Sequence, residues 1–355
     1  MKRCRLEDNA VNAMLRIIAV FAAAAVLGGC AGAGQSQIAT AGAGAPASLQ
    51  SAARTQSLVE SVRADVRFGI DRRAYDARLA VRGPGIAPRH KGSTLFVDDL
   101  DAGEIRLYPA TGKNPQQSGT ITQGIDLGIN VAVDAKGTLY VANNGNSTVT
   151  EYPLGQTSPS VTLATSLVYP NGIAVDSQGT VYVTSGSTVG DTYVLEFPKG
   201  ATSPSAQVGT FGLAVGLAID QNDTLYVCDA HNNQVWSVAK GSTTPVNLGL
   251  TSLSDPTGAA IDPSGNLFVT NETFRANIIN GFKPGATSPY ESITTDVSGP
   301  YTLAFDKKGT LYVGNDGTYP GYVSEYKANK TSVYTTFSNG IENPAGIAVY
   351  KPVSI

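Results

Sequence analysis

The 355-residue sequence contains few of the side chains that build metal and redox centres: two histidines, three cysteines, two methionines and one tryptophan. His90 and His231 are too few for the three-histidine zinc site of a hydrolase or lyase. No nucleophile elbow or phosphate-binding glycine loop is recognisable in the sequence. We therefore expect no catalytic residue, no metal and no cofactor, and an enzyme is the less favoured interpretation.

Positive charge is also scarce in most of the chain. Residues 92–355 hold 12 Lys and Arg against 22 Asp and Glu, whereas residues 1–91 hold 13 against 6. The acidic part offers no surface that would neutralise phosphates, so nucleic acid is not an expected partner. The arginines of 54–89 are interpreted as part of a solvated spacer, with contact to anionic lipid or polysaccharide as the alternative.

Only one long hydrophobic run is present, at residues 17–27. Eleven residues cannot cross a bilayer as a mature helix, but this length suits the core of a signal peptide. The following Leu27-Gly28-Gly29-Cys30 resembles the bacterial lipobox, in which the cysteine is acylated and becomes the first mature residue. The resemblance implies a signal peptide over 1–29 and a lipid anchor on Cys30 that binds the bilayer. It also implies an extracytoplasmic place in the bacterial cell envelope, and Ala31 favours the outer membrane.

The segment from 30 to 91 is interpreted as the lipidated cysteine and a flexible stalk. Residues 31–49 are rich in Ala, Gly, Ser and Gln, which is typical of a tether. Residues 50–66 could form a short amphipathic helix, and residues 67–91 show no clear period. Cys228 is the one remaining cysteine of the mature chain, so no intramolecular disulfide is expected.

The sequence is rich in one repeated phrase, an aspartate, a glycine three positions later and then a hydrophobic triplet with a central aromatic residue. Its copies begin at Asp134, Asp176, Asp220, Asp262 and Asp306, which are 42 to 44 positions apart, and Asp223 replaces the glycine in the third copy. A period of this length is typical of repeat architectures. The Asp and Gly of DxxG suit a tight turn, in which the carboxylate accepts backbone N–H groups and glycine takes a positive φ.

Each period contains four short β-rich runs bounded by turn residues, which indicates an antiparallel meander. Runs such as residues 172–175 and 180–183 are apolar at odd and even positions alike, which predicts burial on both faces. Blades packed around an axis meet that requirement. The run at 94–98 lacks an inner strand before it, and the run at 346–349 has nothing after it. We predict an all-β, six-bladed β-propeller over 92–355, monomeric, with four-stranded antiparallel blades and a C-terminal strand that completes the first blade.

The segment from Pro170 to Asp176, followed by Gly179-Thr-Val-Tyr-Val183, resembles the NHL-type repeat and, more broadly, the TolB-like six-bladed propellers that include gluconolactonase and senescence-marker proteins. In the gluconolactonase-like relatives, Asn, Asp or Glu directly before several inner-strand glycines helps to hold a divalent metal in the channel. The matching positions here are Ile129, Asn171, Val215, Thr257, Tyr301 and Ala345. Only Asn171 would ligate well, so this metal site is expected to be dismantled.

A polar residue stands two positions after the valine of each second strand. The six are Asp99, Asn143, Ser185, Asp229, Asn271 and Asn315, and Asn144, His231, Glu272 and Asp316 follow nearby. They could line the mouth of the channel and bind a ligand, or they could hold the following loops. Aromatic residues that can grip sugars or peptides fall in loops of the same face, at Phe211, Phe274, Tyr301 and Tyr319, beside Arg275.

The predicted ligand-binding candidates are Asp99, Asn143, Asn171, Asp229, His231, Asn271, Glu272, Arg275, Tyr301, Asn315, Asp316 and Tyr319. The favoured function is a lipid-anchored, non-catalytic binding or interaction scaffold whose propeller face binds a protein or glycan. One alternative is a lactonase- or lyase-type enzyme with a divergent channel site around Asp229, His231 and Glu272. Another is a carbohydrate-binding surface protein. Propellers serve all these purposes, so the fold does not decide among them.

Overall fold

The computed structural model describes residues 70–87, 92–164, 166–187, 189–273 and 276–351. Cys30, the predicted signal peptide and residues 31–69 of the predicted stalk lie outside these residues, as do Phe274 and Arg275. Inside them the chain forms one helix, α1 (Arg72–Val81), and strands β1 to β24. No helix in the described part of the chain is long and apolar enough to cross a membrane.

The strands form six antiparallel sheets of four, which we number as blades 1 to 6. Blade 1 contains β1 (Thr94–Asp99), β2 (Glu104–Pro109), β3 (Gly119–Ile121) and β24 (Pro344–Tyr350). Blade 2 contains β4 (Gly128–Val133), β5 (Leu139–Asn143), β6 (Thr148–Tyr152) and β7 (Val161–Leu163). Blade 3 contains β8 (Ile173–Val175), β9 (Val181–Ser185), β10 (Thr192–Phe197) and β11 (Ala206–Phe211).

The remaining blades follow the same order, with the inner strand first. Blade 4 contains β12 (Ala214–Ile219), β13 (Leu225–Asp229), β14 (Gln234–Val238) and β15 (Val246–Asn247). Blade 5 contains β16 (Pro256–Ile261), β17 (Leu267–Thr273), β18 (Ala276–Phe282) and β19 (Glu291–Ile293). Blade 6 contains β20 (Pro300–Phe305), β21 (Leu311–Asn315), β22 (Tyr322–Tyr326) and β23 (Val333–Phe337).

Blade 1 is completed by the end of the chain. Strand β24 pairs with β1 in antiparallel register, from Thr94 opposite Tyr350 to Asp98 opposite Gly346. The prediction of six four-stranded blades closed by a C-terminal strand is confirmed. Closure covers the inner edge of β1 and gives blade 1 the same number of strands as the other blades.

Apolar side chains fill the spaces between neighbouring blades. Five clusters of buried residues each fill one blade interface, such as the one that joins Phe96 and Ile105 of blade 1 to Val131 of blade 2. The sixth fills the interface of blades 2 and 3 and continues to residues of other blades and of α1. All five residues of β5, β9 and β21 are buried, which confirms the prediction from their continuous apolar pattern. Burial of one Leu or Phe side chain contributes roughly 1.5–3 kcal/mol.

Glycines let the inner strands approach one another around the axis. A Cβ on Gly258 would lie 2.6 Å from the carbonyl oxygen of Tyr301 in the next blade. Gly172 and Gly216 meet the carbonyls of their next blades in the same way. These glycines therefore repeat because a side chain would push neighbouring inner strands apart.

The DxxG phrase forms a turn between the inner and second strands, on the side that we call the turn face. In blade 2, Asp134 Oδ1 accepts N–H bonds from Lys136 (2.9 Å) and Thr138 (2.8 Å). In blade 4 the glycine position is occupied by Asp223, which takes a φ of 59°. Its carboxylate accepts bonds from Ser177 of blade 3 and from Lys240. This exception to the repeat ties two blades together.

Candidate functional site at the channel mouth

The six polar residues that end the second strands lie on the side opposite the turn face, which we call the mouth face. Each side-chain oxygen accepts a backbone N–H from the loop that enters the inner strand of its own blade. These pairs are Asp99 with Glu342 and Asn343, Asn143 with Asp126, Ser185 with Val168, Asp229 with Gly212 and Leu213, Asn271 with Ser254, and Asn315 with Ser298. All six side chains are buried. Holding the loops is therefore the role visible in their hydrogen bonds.

Asp99 is the member of this set of six, which we call the polar ring, that lies in blade 1, where the chain closes. Besides the loop N–H of Asn343 at 2.9 Å, its carboxylate accepts a bond from Arg106 Nε at 2.6 Å. Burial raises the pKa of Asp99 to about 6, against the lowering effect of Arg106 and the backbone N–H groups. The carboxylate is therefore ionised at neutral pH and anchors the loop that precedes β24.

Asp229 is fully buried and its oxygens are occupied by its own blade. They accept bonds from the N–H of Gly212 and Leu213, each at 2.9 Å, and from the side-chain amide of Asn232 at 2.9 Å. His231, two residues later, is exposed. No hydrogen bond in the described residues joins the two side chains, so the structure does not assemble them into an acid–base pair.

The centre of the mouth is apolar. Ile129, Val215 and Ala345, from three different inner strands, are 0–2% exposed and belong to one apolar cluster. Tyr301 is 1% exposed in the same cluster. The Asn171 side-chain oxygen accepts a bond from Asn144 Nδ2 at 3.4 Å.

Helix α1 lies on this mouth, although the segment 67–91 showed no clear period in the sequence. Asp71 begins the helix by accepting N–H bonds from Arg73 (3.0 Å) and Ala74 (3.3 Å). Tyr75 is 2% exposed, packs in the apolar cluster of the mouth and accepts the N–H of Leu127 at 2.7 Å. The helix thus contributes a core residue to the propeller.

Charged side chains hold both ends of α1. Arg72 pairs with Asp126 at 2.8 Å, and Arg78 pairs with Glu342 at 2.9 Å. Arg82, just after the helix, donates to the carbonyl of Ile125 at 3.0 Å. These contacts join the helix to the loops of blades 1 and 2, beside two of the ring residues.

Among the predicted aromatic residues of this face, exposure divides the described ones. Phe211 and Tyr301 are buried, whereas Tyr319 is 55% exposed. Tyr319 donates a hydrogen bond to Glu342 Oε2 at 3.2 Å, the same oxygen that pairs with Arg78. Glu272 is partly buried and Asp316 is buried. Tyr319 is therefore the aromatic candidate that is available to solvent.

The sequence did not single out Asp98, which is fully buried between blades 1 and 2. Its Oδ2 lies so near the backbone of Gly128 that a Cβ there would be 2.5 Å away. Neither carboxylate oxygen has a hydrogen-bond partner in the described residues. Burial, with a smaller effect of the Asp99 charge, raises the pKa of Asp98 well above its usual range. The protonated, uncharged carboxyl group is therefore the form of Asp98 that suits this buried position.

A family model described as the SMP-30/gluconolactonase/LRE-like region matches residues 85–315. The chain belongs to this family. The match covers blades 2 to 5 entirely and parts of blades 1 and 6, so membership agrees with the observed fold. Comparison with curated protein sequences gives no match.

Solved structures support the architecture of this family member. A chain of a nidogen/laminin complex superposes with a TM-score of 0.62 at 18% identity, over 73% of this chain and 98% of that one. A Bacteroides caccae protein of unknown function gives 0.56 at 11% identity, over 73% and 99%. At these identities the likeness concerns the fold alone.

The channel metal that the gluconolactonase resemblance implied can be tested against the residues present. A hard divalent cation requires several converging oxygen ligands. Three of the six matching positions carry the hydrocarbon side chains of Ile129, Val215 and Ala345. The amide oxygen of Asn171 already has a donor, the Thr257 hydroxyl bonds to Thr270, and Tyr301 packs in the apolar cluster. No group of three or more His, Cys, Asp or Glu that could hold an ion occurs in the described part of the chain. These residues do not fit such a metal.

Proposed function

We propose that this family member is a non-catalytic binding scaffold, held at the bacterial cell envelope by a lipid on Cys30. The observation that supports it most directly is the apolar mouth, where Ile129, Val215 and Ala345 stand at the metal-ligand positions. Tyr75 of α1 packs onto the same cluster. A closed, apolar centre suits a rigid platform that presents its outer loops to a partner.

The loops of the mouth face are the proposed binding surface for a protein or glycan. Tyr319 offers an exposed aromatic ring beside the Arg78–Glu342 ion pair. Aromatic rings next to charged and amide groups bind sugars and peptides well. A glycan array read with the intact protein and with Tyr319→Ala tests the glycan arm. Signals that vanish in the variant support it, and an array without any such signal removes it in favour of a protein partner.

The absence of catalysis is tested by metal analysis and lactone hydrolysis. The purified protein, incubated with Ca²⁺ or Zn²⁺ and desalted, should retain less than one ion per chain and should not accelerate the opening of an aldonolactone. Asn171→Ala serves as the matched variant, since Asn171 is the remaining family-type ligand. Stoichiometric metal that is lost in Asn171→Ala, together with hydrolysis, would overturn the scaffold proposal.

A lactonase-type enzyme is the second candidate, because the description of the family to which this chain belongs includes gluconolactonase. It would need a site other than the apolar centre of the mouth. Hydrolysis that persists in Asn171→Ala and after chelation would favour this candidate.

The lipid anchor is tested in a bacterial host by fractionation and fatty-acid labelling. We expect the intact protein in the membrane fraction with label attached, and Cys30→Ala without label in the soluble fraction. Two or more acyl chains give durable attachment, so the difference should survive a high-salt wash. An unlabelled, soluble intact protein would contradict the anchor while leaving the scaffold proposal in place.

A further inference from the structure

A cavity of about 310 Å³ opens on the turn face between blades 2 and 3. Blade 2 contributes Asp134, Tyr140 and Glu151 to its lining, and blade 3 contributes Phe197 and Lys199. This volume is at the lower end of the range for small-molecule sites. The cavity is remote from the mouth face, so it is separate from the surface proposed above.

The blade 2 wall of this cavity carries two polar side chains without a partner among the described residues, Tyr140 and Glu151. Tyr140 and Glu151 are directly opposite each other on β5 and β6. Tyr140 is only 5% exposed, yet its hydroxyl has no hydrogen-bond partner in the described residues. Glu151 forms no ion pair there, and burial and the nearby Asp134 charge raise its pKa. A hydroxyl and a half-buried carboxylate that line a cavity without protein partners can accept hydrogen bonds from a ligand in that cavity.

Blade 6 repeats the same three residues and shows what satisfies them. There Tyr312 lies opposite Glu325, near the turn residue Asp306. The ammonium group of Lys327 pairs with Glu325, and the Tyr312 hydroxyl donates to the carbonyl of Ala110. The lysine stands two residues after the glutamate.

In blade 2 the position two residues after Glu151 is Pro153, which lines the cavity and has no charge to offer. The same carboxylate that is neutralised inside blade 6 is therefore left open in blade 2. The ammonium group of a bound ligand would pair with the Glu151 carboxylate in the way that Lys327 pairs with Glu325.

Two exposed lysines that line the cavity carry the opposite charge. Lys199 extends from blade 3 along Gly179, across from the blade 2 wall, whereas Lys136 stands in the same blade 2 turn as Asp134. Their ammonium groups can hold a carboxylate. Leu163, Val181 and Phe197 supply an apolar lining between the two charged sides. The arrangement suits a ligand that has one positive and one negative end joined by a short hydrocarbon segment.

We propose that the cavity between blades 2 and 3 binds a small zwitterion of the amino-acid type, with its ammonium on Glu151 and Tyr140 of blade 2 and its carboxylate on Lys199 of blade 3. The ammonium supplies the donors that Lys327 supplies in blade 6. This proposal does not depend on the lipid anchor, the mouth face or the absence of catalysis.

The test is isothermal titration of the full-length protein in detergent with a series of ω-amino acids from glycine to 6-aminohexanoate. We expect one chain length to bind best, because Glu151 and Lys199 stand on different blades. Ethylamine and propionate, which carry only one of the two charges, should bind at least about tenfold more weakly, as expected for loss of one charge-assisted bond. The proposal would be overturned if no member of the series gave either a heat of binding or a chemical-shift change in the NMR spectrum of the protein.

Three variants locate the site. Glu151→Gln should weaken binding of the best zwitterion at least about tenfold, and Pro153→Lys should abolish it by supplying an internal ammonium. Glu196→Gln is the matched control, since Glu196 lies opposite Tyr182 in blade 3 and faces the next interface. It should bind like the unaltered protein. Equal affinity in Glu151→Gln, or an equal loss in the control, would place the binding elsewhere and refute the assignment.

Discussion

Replacing Tyr75 should separate the contribution of helix α1 from that of the propeller. The side chain is 2% exposed and its hydroxyl is the acceptor for the N–H of Leu127 at 2.7 Å. Removing a buried aromatic ring costs about 3–5 kcal/mol. Loss of the hydroxyl alone leaves a buried N–H without a partner, which costs about 1–3 kcal/mol. Tyr75→Phe and Tyr75→Ala therefore measure the two parts separately.

The loss in Tyr75→Ala has an upper limit that follows from the length of α1. Ten residues are too few for a helix to be stable alone in water. If the helix of the Tyr75→Ala variant leaves the mouth while the blades stay folded, the loss of stability cannot exceed the free energy with which the helix docks. We expect a decrease of about 3–5 kcal/mol in the free energy of unfolding, with Arg73→Ala, an exposed change in the same helix, as the control.

Urea denaturation gives the free energies, and amide hydrogen exchange at Leu127 gives the local effect. The Leu127 amide should exchange faster in Tyr75→Phe than in the unaltered protein, because its acceptor is gone. The reasoning would be refuted if that exchange rate stayed the same, or if Tyr75→Ala were as mild as Arg73→Ala.

Three further changes test the blades. Because the pKa of Asp98 is raised in the folded state, its stabilising effect is present at acid pH and is lost as the pH rises through that value. The melting temperature of Asp98→Asn minus that of the unaltered protein should therefore increase as the pH is raised from 4 to 8. A difference that stays constant over this range would contradict the reasoning. Lys240 and Ser177 lower the pKa of Asp223 to about 2, so the stability lost in Asp223→Ala at pH 7 should shrink as the pH falls from about 4 to about 2. A melting curve series that shows no such convergence would argue against the blade 3–4 tie. Deletion of residues 340–355 removes β24 and should abolish the single cooperative transition, whereas a truncated chain that melts like the intact one would disprove closure.

The propeller was predictable because the repeat combines two independent signals. The DxxG turns and the hydrophobic triplets recur at one period, and the unpaired runs at 94–98 and 346–349 require each other. Local turn chemistry and global closure point to the same fold. The strand bounds differ from the predicted runs by only one or two residues at most positions.

The helix at the mouth was not predictable in the same way. Within α1 only Tyr75 and Leu79 pack against the apolar cluster, so no amphipathic pattern emerges from an arginine-rich segment. Its contacts are mostly ion pairs and hydrogen bonds to loops distant in sequence, such as Arg78 to Glu342. The Asp71 cap is the local signal that could have indicated it.

Whether the six polar residues at the ends of the second strands hold a loop or face a ligand could also not be predicted from the sequence. Asn and Asp hold a loop or bind a ligand with the same oxygen atoms, so residue type alone left both interpretations open. The hydrogen bonds to the loop N–H groups distinguish them. Pro153 and Lys327 follow the same Glu-Tyr pair in the sequence, but the pairing of each glutamate with a tyrosine of the second strand, and the cavity beside Glu151, needed the structure.

Closure by β24 has a consequence for biosynthesis. Asp99 accepts a hydrogen bond from Asn343, which is made 244 positions later. Without β24, a sheet of β1 to β3 would have an uncovered inner edge, and such edges pair readily with other chains. Contacts this distant in sequence also form slowly. A chain exported in the unfolded state would complete the ring only after translocation, so release of its final segment sets the earliest moment at which blade 1 can form.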